Sequence, residues 1–124
     1  MDKLILTGTQ DTPNVILDKD ENKFQFSGKS LPEDVKEFYS PIIQWIEEYA
    51  KTPNAQTTIE FKMEYFNAAS SKIILDILTR LETMVKNGTN VEVHWYYQTD
   101  DEDMQEAGEA YADIIEVPIK LIGY

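Results

Sequence analysis

The most regular pattern in the chain is an alternating segment followed directly by a helical one. Residues 57–64 place apolar and polar side chains in turn, with the period of two that a half-buried strand requires. Apolar residues then recur every three or four positions across residues 73–85, which predicts an amphipathic helix that ends at Asn87-Gly88. The intervening residues 65–72 therefore join a strand to a helix.

The part of the chain before this unit predicts short strands. Residues 4–6 are apolar and precede a turn-rich segment, and residues 14–18 and 23–27 flank a polar connector of hairpin length. We therefore expect a first strand, a loop and a β-hairpin.

A long amphipathic helix should follow the hairpin. Residues 30–33, Ser-Leu-Pro-Glu, have the spacing of a capping box, which predicts that the helix begins there. Pro41 removes one backbone hydrogen bond inside the helix, so we expect a kink or a break near Tyr39-Ser40. The aromatic side chains expected to supply the core and rim of this helix are Phe38, Tyr39, Trp45 and Tyr49.

The remainder of the chain predicts another strand, a helix and a final strand. Residues 91–97 alternate, and they follow a helix that itself follows a strand, so these two strands should be parallel. The acidic residues 100–103 begin a segment with apolar positions at helical spacing, and acids at a helix start match the helix dipole. Residues 117–122 predict a last short strand, which Pro118 favours at an edge of the sheet.

These elements predict a single α/β domain over residues 1–124. Five or six strands would form a mixed sheet, because the hairpin strands are antiparallel and the crossover strands parallel, with the helices packed on it. A chain of 124 residues is long enough to bury the core of such a domain.

Charge and composition exclude several classes of function. Only 11 basic residues stand against 23 acidic ones, for a formal net charge of -12, so neither nucleic acid nor an anionic membrane surface is an expected partner. The absence of cysteine excludes disulfides, zinc-thiolate sites and cysteine nucleophiles. No apolar segment has the length of a signal peptide core or a membrane span, which predicts a cytoplasmic protein.

The segment from Asn67 to Ser71 is the strongest candidate for function. Its small and hydroxyl-bearing side chains fall at the start of the predicted helix, where free N–H groups and the helix dipole favour an anion such as a covalent phosphate. Asn and Ser are also ordinary N-cap residues, and most strand-to-helix junctions carry one for capping alone, so the residue types by themselves favour capping over regulation.

Enzymatic chemistry has little support in the sequence. A small hydrolase or metal-dependent enzyme would need His94, the only histidine, together with the acids at 100–103, and no nucleophile can be placed beside them. The acidic run lacks the ligand spacing and central glycine of a calcium loop, and no glycine-rich phosphate loop is present. The sequence therefore predicts no cofactor and no metal, and it favours a binding or regulatory module.

Several stretches together resemble the SiaC family of bacterial regulatory phosphoproteins, and they follow one another in the family's order and spacing. They are Gly-Thr-Gln-Asp-Thr-Pro at 8–13, Gly-Lys-Ser-Leu-Pro-Glu at 28–33, Phe38-Tyr39 with Trp45-Ile46, and Tyr65-Phe66-Asn67 leading to Ser70-Ser71-Lys72 and Asp76. The resemblance implies a fold similar to the STAS domain of anti-sigma-factor antagonists, in which a four- or five-stranded sheet is backed by helices.

The resemblance also implies a partner-switching function without catalysis. A cognate kinase would phosphorylate the protein, a PP2C-type phosphatase would remove the phosphate, and the unmodified form would bind and activate a diguanylate cyclase. Cyclic-di-GMP signalling and biofilm formation would be the output. The alternative within the same class is an anti-sigma-factor antagonist that binds a histidine-kinase-like anti-sigma factor.

The resemblance assigns the switch to the start of the helix, with one departure. Ala68 occupies the position of the family's phosphorylated threonine and cannot carry phosphate. Three readings follow: Ser70 or Ser71 takes over, with Ser70 preferred; the protein stays in the unmodified binding-competent state; or position 68 differs from the natural residue. The side chains expected to contact the partner are Tyr65, Asn67, Ala69, Lys72 and Asp76.

Overall fold

Six strands form one mixed sheet, and they lie side by side in the order in which they occur along the chain. The structure is a computed structural model that describes residues 1–124. The strands are β1 (Leu4–Leu6), β2 (Asn14–Asp18), β3 (Lys23–Ser30), β4 (Gln56–Phe66), β5 (Asn90–Tyr97) and β6 (Ile119–Gly123). The helices are α1 (Val35–Lys51), α2 (Ala68–Lys86) and α3 (Glu102–Ile114).

The connections explain why only one face of the sheet is covered. β1, β2 and β3 are antiparallel neighbours, whereas β3, β4, β5 and β6 are parallel and are joined by α1, α2 and α3. Three successive right-handed crossovers that advance in one direction place all three helices on the same face. The predicted α/β class, the mixed sheet, the hairpin and the parallel pair are confirmed, and the sheet has the larger of the two expected strand numbers.

A row of aromatic side chains crosses the covered face of the sheet. Phe26, Phe61 and Trp95 are directly paired in register on β3, β4 and β5. The ring centroids are 4.9 Å apart for Phe26 and Phe61 and 5.5 Å apart for Phe61 and Trp95. From α1, Tyr39 and Tyr49 are buried against this layer while Phe38 and Trp45 are half-buried, which confirms the expected core and rim contacts.

The start of α1 differs from the prediction. Asp34, not Ser30, is the N-cap, and its carboxylate accepts a hydrogen bond from the Glu37 N–H at 3.0 Å. The predicted capping box at 30–33 is therefore wrong, because Ser30 is the last residue of β3 and its fully buried hydroxyl has other partners.

Of the two expectations for α1, the break is wrong, and the kink near Tyr39-Ser40 stays a prediction. The helix runs without interruption from Val35 to Lys51 and includes Pro41. Pro41 is exposed, so the carbonyl that its missing N–H leaves free lies on the solvent side of the helix.

The contact of α3 with the sheet depends on a glycine. A Cβ atom at Gly108 would lie 2.4 Å from Cδ1 of Trp95 and 2.6 Å from Cδ2 of Leu121, far inside van der Waals contact. The helix therefore approaches β5 and β6 as closely as a residue without a side chain allows.

Replacing Gly108 with alanine should lower the free energy of unfolding by about 2 kcal/mol, because the added methyl group must displace the Trp95 ring or the helix. Urea unfolding followed by far-UV circular dichroism measures the change. The sign of the change in the free energy of unfolding tests the close contact. In an exposed helix interior, replacing glycine with alanine stabilises a protein by roughly 0.5–1 kcal/mol. Ala112→Gly, at an exposed position of α3, provides the matched control and should cost about that amount. A stabilised Gly108→Ala protein would show that the close contact is absent.

Candidate functional site

β4 passes into α2 through a single residue, Asn67. Asn67 has an extended backbone (φ -85°, ψ 177°), and its side-chain oxygen accepts a hydrogen bond from the Ser70 N–H at 2.9 Å. Asn67 is thus the N-cap of α2, and Asn87 and Gly88 end the helix as predicted. The capping interpretation of Asn67 is confirmed, while its expected contact with a partner stays a prediction.

A β-bulge just before this junction turns the last side chains of β4. Gly28 pairs with Met63, but Lys29 pairs with Tyr65, so Glu64 is the extra residue of β4. Strict alternation after Met63 would bury Tyr65. Instead 52% of Tyr65 is exposed, and Phe66 packs edge-on against Trp95 with a ring separation of 6.0 Å.

The first turn of α2 is tied to β3 and α1 by buried hydroxyl groups. Ser70 Oγ donates to the Ser30 carbonyl at 2.9 Å and lies 2.8 Å from Ser30 Oγ. Ser30 Oγ also lies 2.6 Å from the hydroxyl of Tyr39. Since each hydroxyl donates once, the proton order is Tyr39 to Ser30 Oγ to Ser70 Oγ to the Ser30 carbonyl. Asn67 N–H donates to the same carbonyl at 3.1 Å.

A second hydroxyl contact ties the same turn to α3. Tyr111 OH donates to the Ser71 carbonyl at 2.8 Å, and Ser71 Oγ lies 3.1 Å from that hydroxyl. Burial raises the pKa of Tyr111 and of Tyr39, so both phenols remain protonated donors at neutral pH. The sequence did not predict which side chains hold the junction in place. They are Ser30, Tyr39 and Tyr111.

The residues predicted to form the site differ sharply in exposure. Ala68, Ala69 and Lys72 are exposed in the first turns of α2, Ser71 is half-buried, and Ser70 is fully buried. Among the exposed set, Ala68 and Lys72 are four residues apart and therefore share one helix face.

Asp76 continues this face by one further turn. Its carboxylate lies 3.4 Å from Arg80 Nε, and Arg80 also pairs with Glu47 of α1. Asp76 is therefore engaged in an ion-pair group between α1 and α2, although 43% of its side chain remains exposed.

The positions of the hydroxyl groups bear directly on phosphorylation. A residue at position 68 is exposed and stands at the first helical position, where the helix dipole favours added negative charge. Ser70 has no exposed surface, and its Oγ is engaged with Ser30. A kinase can reach Ser70 only if the first turn of α2 opens, so the geometry does not support the preference for Ser70 over Ser71.

The residues considered for catalysis are separated in the structure. His94 lies on the uncovered face of the sheet, where its Nε2 is 2.9 Å from Glu92 Oε1. Asp101 is the N-cap of α3 and accepts from Met104 N–H at 3.0 Å, which confirms the interpretation of the acidic run as a helix start. No group of three or more histidine or acidic side chains is arranged to hold a metal ion.

None of the three helices combines the length and the apolar character needed to cross a membrane.

Comparison with known proteins identifies the relatives of this chain. Residues 6–124 match the model of the family described as SiaC family regulatory phosphoprotein. An uncharacterized protein of Pseudomonas aeruginosa strain UCBPP-PA14 is 27% identical over 121 residues, which cover 98% of this chain and 96% of that protein.

Solved structures agree with the family match. SiaC of Pseudomonas aeruginosa superposes with a TM-score of 0.92 at 26% identity and covers 100% of both chains. SiaC in the crystal structure of the diguanylate cyclase SiaD in complex with its activator SiaC, from the same organism, gives a TM-score of 0.92 at 26% identity and covers 98% of this chain and 99% of that one. Because the family match, the fold and the order of elements agree over nearly the whole chain, the protein belongs to the SiaC family of regulatory phosphoproteins.

Proposed function

We infer that this protein binds a diguanylate cyclase and raises its activity, acting as a regulator without catalytic activity of its own. The observation that carries the proposal is the whole-chain similarity to a SiaC protein that was crystallised as the activator of a diguanylate cyclase. The exposed start of α2, with Ala68, Ala69 and Lys72, offers a rigid surface for that contact because buried hydroxyl groups hold it to β3, α1 and α3. The cytoplasm is the proposed location.

We further infer that Ala68 keeps this chain in the binding-competent state. Members of a phosphoprotein family switch when a kinase adds charge and a phosphatase removes it, so both steps need a hydroxyl group that the kinase can reach. Ala68 has no hydroxyl, Ser70 is buried, and Ser71 is half-buried and hydrogen-bonded to Tyr111. Position 68 thus lacks a hydroxyl group, the hydroxyl group of Ser70 is buried, and that of Ser71 is only partly accessible.

The test measures cyclic-di-GMP formation by the cognate cyclase with the protein added, before and after treatment with the cognate kinase and ATP. The parent protein should activate the cyclase equally in both cases and should gain no phosphate by intact-mass spectrometry. Ala68→Thr places a hydroxyl at the exposed first position of α2 and should gain one phosphate and then lose activation.

Two controls separate the possible acceptors. Ser70→Ala and Ser71→Ala, like the parent protein, should gain no phosphate after treatment with the kinase. A phosphate on the parent protein that disappears in Ser71→Ala would show that Ser71 has taken over the switch. Failure of the untreated parent protein to activate the cyclase would contradict the proposed function itself.

A further inference from the structure

A groove borders the start of α2, between the end of β4 and the first two turns of α3, and it encloses about 410 Å³. Four residues line it with apolar surface: Tyr65, Phe66, Met104 and Ala107. The remaining three lining residues, Glu64, Asp101 and Asp103, are all acidic. Phe66 directly precedes the N-cap of α2, so the groove is continuous with the surface proposed to contact the cyclase.

The β-bulge supplies two of the residues that line this groove. It inserts Glu64 into β4 and leaves an aromatic ring, Tyr65, 52% exposed beside the cavity. Four other large apolar residues are comparably exposed, but none of them lines this groove, and an exposed aromatic ring at the edge of a concave surface is typical of an interaction site. Bulges commonly redirect side chains at functional sites in the same way.

The charge of the groove distinguishes it from the other cavities. The two cavities between α1 and α2 are lined by charges of both signs: Arg80 and Glu47 in one, and Lys36, Glu47 and Asp76 in the other. The cavity near the N-terminus contains Lys3 together with acids, and the cavity over residues 98–103 has no apolar lining. Only the groove at the end of β4 combines an apolar floor with charges of a single sign, so its complement is an apolar group flanked by positive charge.

We propose that this groove receives a segment of the diguanylate cyclase that inserts an apolar side chain and flanks it with lysine or arginine. The inference rests on the proposed function and adds the chemistry of the contact. The apolar side chain would bury the exposed Tyr65 ring and supply the affinity. The basic residues would meet Glu64 and Asp103 and fix the orientation of the segment, and they would make the association sensitive to salt.

The test compares two charge-reversed double variants in binding to the cognate cyclase, measured by titration calorimetry at low and high salt. Glu64→Lys with Asp103→Lys alters the groove. Asp20→Lys with Glu21→Lys makes the same change of charge in the β2–β3 connection, at the opposite end of the sheet. The groove pair should weaken binding roughly tenfold or more and reduce the salt dependence, whereas the distant pair should weaken it by no more than about threefold.

Further variants remove the risk that reversal at the start of α3 disturbs the helix. Glu64→Gln with Asp103→Asn keeps the shape and deletes the charge, and it should weaken binding in the same direction. Equal effects of the groove pair and the distant pair, or no effect of either, would overturn the inference and leave the proposed function standing. Absence of binding by the parent protein would overturn both.

Discussion

Replacing Trp95 with alanine should lower the free energy of unfolding by about 4 kcal/mol. Trp95 has no exposed surface, and its ring lies between Phe61 of β4 and Tyr111 of α3 at centroid distances of 5.5 Å and 5.4 Å. Its indole N–H also donates to the Met104 carbonyl at 3.0 Å, which fixes the first turn of α3 to β5. The substitution therefore removes a large buried volume and one of the bonds that attach α3 to the sheet.

Thermal and urea unfolding followed by far-UV circular dichroism measure this effect. A loss of that size should lower the melting temperature by roughly 10 °C or more. Trp45→Ala is the matched control, because this tryptophan is half-buried on α1 and its indole N–H donates to the carbonyl of Asp2 near the chain terminus. Trp45→Ala should cost clearly less than Trp95→Ala. Equal losses would indicate that α3 is not anchored through Trp95.

Periodicity predicted those elements whose faces are set by burial. β4 alternates from Thr57 to Met63, and α2 repeats its apolar positions from Ile74 to Met84, so both were found with nearly their full extent. Even the two short edge strands, β1 and β6, were found, because two apolar residues of each pack against the core. The local sequence pattern is sufficient to predict a helix or strand when one of its faces is exposed to solvent and the other is buried.

The sequence predictions were wrong or incomplete where a residue far away in the sequence determines the local structure. Ser30 has the sequence spacing of a capping box. In the structure its hydroxyl group instead forms hydrogen bonds with Tyr39 and Ser70 in the core. Asp34 is the residue that caps α1. Ser70 lies 40 positions beyond Ser30, so no local window contains this pair. The bulge at Glu64 depends equally on the register of β3 against β4. Both features become visible only once the strands are paired.

The position of the strand-to-helix junction was predicted, but the accessibility of its hydroxyl groups was not. The sequence placed the start of α2 correctly, since the helix begins at Ala68, while the switch assigned to it stays a prediction. It could not show that Ser70 points into the core while Ser71 is half-buried, since adjacent helical residues differ in direction by about 100° and the neighbours on each side come from other elements. The hydroxyl of Tyr111, 40 positions away, is what engages Ser71.

The accessibility of Ser70 leads to a second large expected effect. Ser70→Asp should lower the free energy of unfolding by about 3 kcal/mol or more, because it places an unpaired carboxylate in a site without exposed surface. The new group would face the Ser30 carbonyl, which is an acceptor and cannot pair with it. The hydrogen bond that the Ser70 hydroxyl donates to the Ser30 carbonyl would be lost as well.

Ala68→Asp is the matched control, since it adds the same charge two residues earlier in the same turn, at an exposed position. The helix dipole favours an acid there, so stability should stay within about 0.5 kcal/mol of the parent value or rise slightly. Ser70→Ala separates loss of the hydroxyl from burial of charge and should cost only about 1 kcal/mol. Urea unfolding of the three variants gives the comparison.

The pair of aspartate variants also decides how this chain can be switched. If Ser70→Asp is as stable as Ala68→Asp, the first turn of α2 opens at little cost, and Ser70 becomes accessible to a kinase despite its burial in the closed form. If Ser70→Asp is strongly destabilised, a phosphate at that position is incompatible with the folded junction. Position 68, the family's acceptor position, is exposed but carries an alanine in this protein, so the off state must be absent or reached in another way, such as through the half-buried Ser71.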